Sequence, residues 1–119
     1  MKAYLIDPRK RKISKVDYNG DFHQICGLIN ADIFTAVYPF NNGDSIYVDD
    51  MGLYEELNYC FSVKCDNGTT QDLYGNGLVL GANEEGESVA VKTSLAELKK
   101  RISFMICSAH SFGNCPLNV

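Results

Sequence analysis

The sequence predicts an α+β protein, an antiparallel sheet of about five or six strands with two helices packed on one face. Three observations carry this reading. Short alternating segments rich in β-formers are separated by glycine-bearing turns, the pattern of hairpins. Two segments open on a capping residue and continue with apolar residues at helical spacing. No repeated strand–helix–strand rhythm appears, which argues against a parallel sheet.

Residues 2–7 (Lys-Ala-Tyr-Leu-Ile-Asp) read as a strand, and Pro8 suits the start of a turn. The solvated run Arg9-Lys10-Arg11-Lys12 leads into a second strand around Ile13 and Val16, antiparallel to the first. Asn19-Gly20 breaks the chain. Asp21 is placed to cap a helix, with Gln24 as the reciprocal partner of a capping box. Phe22, Ile25, Cys26 and Ile29 then form one apolar helical face, ended by Asn30. Residues 33–39 and 45–49 read as strands paired across the Asn41-Asn42-Gly43-Asp44 turn. Residues 52–58 leave room for one helical turn under Leu53 and Leu57.

Tyr59, Phe61 and Val63 alternate onto one face of a further strand, and residues 71–74 return as a short one. Leu78-Val79-Leu80, between Gly77 and Gly81, reads as a buried strand followed by an acidic loop over 83–88. Ser94 and Glu97 make a second capping box. The stripe Leu95, Leu98, Ile102 and Met105 extends that helix, with Lys99, Lys100 and Arg101 suited to its later turns. Residues 1–106 are expected to form a single domain, and residues 107–119 a C-terminal tail carrying Gly113 and Pro116.

The chain has 119 residues, of which 45% are hydrophobic and 22% charged, a globular composition. It carries 11 Lys+Arg against 15 Asp+Glu, a net charge of −4, so general coating of nucleic acid is disfavoured. The sum hides a bipolar layout. Six of the 11 basic residues fall in the first 15 positions, and the acidic ones crowd the middle. No apolar run is long enough to span a membrane, and the first residues lack the apolar core of a signal peptide. With an odd count of five cysteines, a cytoplasmic protein with reduced thiols is expected. Neither the P-loop nor the dinucleotide fingerprint is present.

Several residue groups carry candidate chemistry. Cys60 and Cys65, then Cys107, His110 and Cys115, offer soft ligands for a zinc-stabilised interaction domain. Buried free thiols pack equally well as small hydrophobes, and no metal or other cofactor is the expectation. Cys107 with His110, or a cysteine with His23, could pair as thiolate and base, yet none sits in a nucleophile motif. The basic turn Arg9–Lys12 could touch phosphate, as in a protein that sequesters a nucleotide signal, or stand as a solvated hairpin tip. Asp49, Asp50, Glu55 and Glu56, with Tyr47 or Tyr54 as aromatic anchors, form the expected partner-binding face. Tyr47 alternates away from Ile46 and Val48 and is expected to lie exposed beside Asp49.

Three segments in order resemble an uncharacterised family of small proteins encoded by bacteriophages and mobile elements. They are residues 2–8 with 13–21, residues 44–53, and residues 77–81 with 83–88. The resemblance covers residues 2 to about 105. Residues 4–10 (Tyr-Leu-Ile-Asp-Pro-Arg-Lys) are also similar to the opening of a small anti-CRISPR protein. The family brings no catalytic residues with it. It implies a non-enzymatic accessory protein, monomer or homodimer, that binds and disables a host protein such as an immune effector.

Overall fold

A computed structural model describes residues 1–50 and 57–108, and these form nine strands and two helices. In order they are β1 (Lys2–Asp7), β2 (Lys12–Asp17), α1 (Phe22–Ile29), β3 (Phe34–Val37), β4 (Ser45–Asp49), β5 (Leu57–Lys64), β6 (Thr70–Tyr74), β7 (Gly77–Ala82), β8 (Ser88–Val89), α2 (Leu95–Arg101) and β9 (Ile102–Ser108). The α+β class holds, and every strand pair is antiparallel. The strands form two sheets rather than one. The larger runs β2-β1-β7-β4-β3 with β8 attached to β7, and the smaller runs β6-β5-β9.

The two helices lie on opposite faces of the larger sheet, not on one. Strand alternation separates its side chains into two clusters. Ala3, Leu78 and Leu80 meet Ile25 and Ile29 of α1 on one side. Tyr4, Ile6, Ile46 and Val79 meet Phe61, Val63 and Ile102 of the smaller sheet, and Leu98 of α2, on the other. The central strand β7 is therefore buried on both faces, as its continuous apolar run requires. Its flanking glycines make the layers fit. A Cβ on Gly77 would stand 2.8 Å from Phe61 Cζ, and one on Gly81 only 2.6 Å from the Ala90 carbonyl oxygen.

The helix starts differ in detail from the expected boxes. Asp21 caps α1 by accepting from the His23 N–H at 2.9 Å. The Gln24 side chain, however, accepts from Asn19 N–H at 2.7 Å and donates to Asp17 O at 2.9 Å, tying the helix to the end of β2. Ser94 accepts from Glu97 N–H at 3.1 Å, while the Glu97 carboxylate turns to Arg101. Asn30 ends α1 in the left-handed conformation, φ 57°.

α2 is shorter than its apolar stripe predicts. It stops at Arg101, and Ile102–Ser108 is strand β9, paired with β5 from Ile102↔Val63 to Ser108↔Leu57. Ile102, Phe104 and Ile106 also alternate, so two periods compete over the same residues. A seven-residue helix gains little by itself, and a seven-residue ladder on β5 outweighs extending it. Cys107 and Ser108 therefore belong to the last strand rather than to a tail. Of the turn expected over 52–58, Leu57 and Asn58 instead open β5, where the ladder to β9 claims them, and residues 52–56 lie outside the described residues, as does the remainder of the expected tail.

Candidate functional site

Of the expected partner face, Tyr47, Asp49 and Asp50 are described, and they lie on β4 and just past its end, where α1 packs against β4 beside the edge strand β3. Phe22 opens the helix and is 67% exposed rather than core, at the edge-strand side of the sheet. Its ring touches Phe34 of β3 (6.2 Å between centroids), which in turn touches Tyr47 of β4 (5.4 Å). The row runs from solvent into the cluster beneath α1. Beside it is an open depression of about 450 Å³, lined by Cys26, Gly27, Asn30, Ala31, Asp32 and Asp49. Carboxylates and amide groups line it, so it suits a cation or a basic side chain rather than a phosphate.

At the head of α1, the His23 backbone N–H and then its ring nitrogen hold the Asp21 carboxyl below the usual carboxylate range. That uses His23 Nδ1 at 2.9 Å from Asp21 Oδ1. The Cys26 thiol donates to Asp32 O at 3.8 Å, so the structure does not bring His23 and Cys26 together.

Tyr47 alternates away from Ile46 and Val48 as expected, but it is half-buried against Phe34 and the α1 cluster instead of exposed. Asp49 is half-buried and Asp50 exposed at the end of β4, with the Asp50 N–H donating to Ile33 O at 3.1 Å. Tyr54, Glu55 and Glu56 lie outside the described residues. Arg9, Lys10, Arg11 and Lys12 form the exposed β1–β2 turn, but Arg9 is committed to packing: its guanidinium sits 4.4 Å from the Tyr59 ring and links the two sheets. Arg11 holds the left-handed position of that turn, φ 53°.

Cys60 and Cys65 are not brought together. Cys60 is buried between Tyr74 and Met105, and Cys65 lies past the end of β5, roughly 16 Å further along extended chain. Among the described residues no three His, Cys, Asp or Glu side chains converge as metal ligands. The register sets Cys107 opposite Asn58, and His110 and Cys115 lie outside the described residues.

A family model for a domain of unknown function matches residues 1–103. The chain belongs to the DUF3846 family. No curated protein and no solved structure matches it. The DUF3846 match takes in both helices and every strand up to the first two residues of β9, close to the span of the resemblance.

Two polar centres of this DUF3846 chain escape the sequence reading. Asp44, fully buried at the start of β4, accepts from Lys92 N–H at 3.0 Å, from Thr93 N–H at 2.7 Å and from the Thr93 hydroxyl at 2.6 Å. Asn42 Nδ2 donates to the same hydroxyl at 3.0 Å, closing a knot that pins residues 90–93 to the larger sheet. The second centre is Arg101. It donates to Asp66 Oδ1, to Lys64 O at 3.2 Å and to Glu97 at 3.1 Å, and lies 5.5 Å from the Phe40 ring. The Asn41 N–H, then Arg101, hold the Asp66 carboxyl below the usual carboxylate range. Both centres join segments distant in sequence, and nothing local in the residues announces them.

Proposed function

We propose that this DUF3846 protein is a non-enzymatic binding protein whose α1–β4 face docks on a basic, partly apolar surface of another protein. The observation that carries the reading is the exposed Phe22 ring leading into a depression edged by Asp32 and Asp49. An aromatic anchor supplies contact area, and carboxylates around it steer and orient a cationic partner. The resemblance to phage and mobile-element proteins supplies the partner class: a bacterial immune or regulatory protein, inhibited by occlusion of a basic surface, as an anti-CRISPR-type inhibitor would act in the host cytoplasm.

The test is affinity capture from bacterial cells with wild-type bait and with the variants Phe22→Ala and Asp32→Lys. The wild type is expected to retain one host protein in stoichiometric amount, with retention falling on raising salt and collapsing in the double variant. Recovery of no such protein, or equal recovery by the double variant, overturns the reading.

A further inference from the structure

We propose that the open edge of β3 pairs with β3 of a second copy, joining two larger sheets into one across a two-fold axis. The idea rests on which edge is left bare. The opposite edge, β2, carries exposed Lys12, Lys15 and Asp17, the charges that keep edges from pairing. β3 has none: residues 33–38 read Ile-Phe-Thr-Ala-Val-Tyr, and among the described residues only β4 pairs with it. Its ends carry Ile33 and Tyr38, 59% and 73% exposed. β9 is also an uncharged edge, but among its large apolar side chains only Ile106 is exposed.

The ladder fixes the register. Asp50 N–H donates to Ile33 O, so Ile33, Thr35 and Val37 exchange hydrogen bonds with β4. The N–H and C=O groups of Phe34, Ala36 and Tyr38 therefore point to the open side. A two-fold axis at Ala36 sets Ala36 against its own copy and Phe34 against Tyr38 of the other chain. All three outward residues then sit in hydrogen-bonded positions, and each exposed tyrosine faces an aromatic neighbour on the same side of the sheet.

Charge agrees with antiparallel docking. Asp32 and Asp50 stand at the Ile33 end, while past the other end Lys92 and Arg101 stand with Asp44 and Asp66, a balanced set. Antiparallel pairing keeps the two acidic ends apart and lays each beside the balanced end of its mate. The axis is perpendicular to the sheet, so both α1 faces emerge on the same side and the docking surface becomes double.

Sedimentation and light scattering over a concentration series, with thiols kept reduced, test the pairing. The expected result is a reversible species of twice the 13.2 kDa chain mass. Tyr38→Lys at an exposed site and Ala36→Pro, which deletes only an outward N–H, should return it to monomer while urea unfolding shows them folded. Amide exchange on the wild type provides a second readout: Phe34, Ala36 and Tyr38 should gain protection with concentration. A monomer at every concentration, a dimer that survives both variants, or protection of these amides unchanged on dilution overturns the proposal. A dimer broken by these variants without effect on host-protein capture would leave the pairing standing and separate it from the partner-binding face.

Discussion

Replacing Asp44 by alanine removes the acceptor of two backbone N–H groups and one hydroxyl at a site that water does not reach. Each buried donor left without a partner costs about 1–3 kcal/mol. Some of the loss is offset, because the variant no longer buries a carboxylate and part of the space can admit water. We expect a net destabilisation of about 3–6 kcal/mol, a large share of the roughly 5–15 kcal/mol that holds a domain of this size. Asparagine should behave differently. Oδ2 takes both Thr93 donors and a share of the Lys92 N–H at 3.1 Å. An amide oxygen in that place keeps those bonds, while the amide nitrogen that replaces Oδ1 sets a donor against the Lys92 N–H. Asp44→Asn should therefore cost about 1–2 kcal/mol. Urea unfolding in a thiol reductant measures both, with the midpoint falling by about 2 M or more for alanine and by about 1 M or less for asparagine. If alanine lies within about 1 kcal/mol of wild type, or asparagine is as damaging as alanine, the knot is not what holds residues 90–93 to the sheet.

Gly81→Ala places a Cβ 2.6 Å from a backbone carbonyl oxygen that cannot swing aside, and should lower stability by about 1–3 kcal/mol in the same urea assay. Leu98→Ala empties the one fully buried position of α2 and should cost about 2–5 kcal/mol. The acid limb of stability has a defined sign. Asp21 and Asp66 are held below the usual carboxylate range, so their contribution is present above the unfolded carboxyl pKa and is lost as pH falls through the folded value. The urea midpoint should therefore drop below about pH 4, and Asp66→Asn should flatten that drop.

Elements whose signal is local were legible in the sequence. The β1–β2 hairpin, the β3–β4 hairpin, the cap at Asp21, the stop at Asn30 and the cap at Ser94 appear where turn and cap chemistry place them. The misread positions are those where a distant partner decides. Ile102 to Ser108 is a strand because β5 lies alongside it, which no helical stripe could announce. Phe22 obeys helical spacing but meets only the margin of the sheet, at Phe34 of the edge strand, and stays 67% exposed. Of the residues expected at a partner face, Tyr47, Asp49 and Asp50 are placed together on and just past β4, with Tyr47 half-buried where exposure was expected. Phe22, Phe34 and Asp32 join them only through the packing of α1 on β4 beside the edge strand β3.

That packing also explains why the candidate surface lies where it does. The face of the larger sheet toward the smaller one is covered by strands and α2, which seal it with Phe61, Val63, Leu98 and Ile102. The other face has only α1 among the described elements, and eight residues of helix reach about 12 Å. Five strands side by side span roughly 19 Å between the outermost two. α1 packs on β4 and β7, its Ile25 and Ile29 sharing a cluster with Ala3, Leu78 and Leu80, and beyond it lies the β3 margin with the half-buried Phe34. A globular chain with a core this complete could have closed that margin with polar residues. It carries instead the Phe22–Phe34–Tyr47 row, ending at carboxylates, beside an edge strand without a charge. Those are the residues that the proposed docking and pairing surfaces would use, and the Phe22 and Tyr38 variants test whether they do.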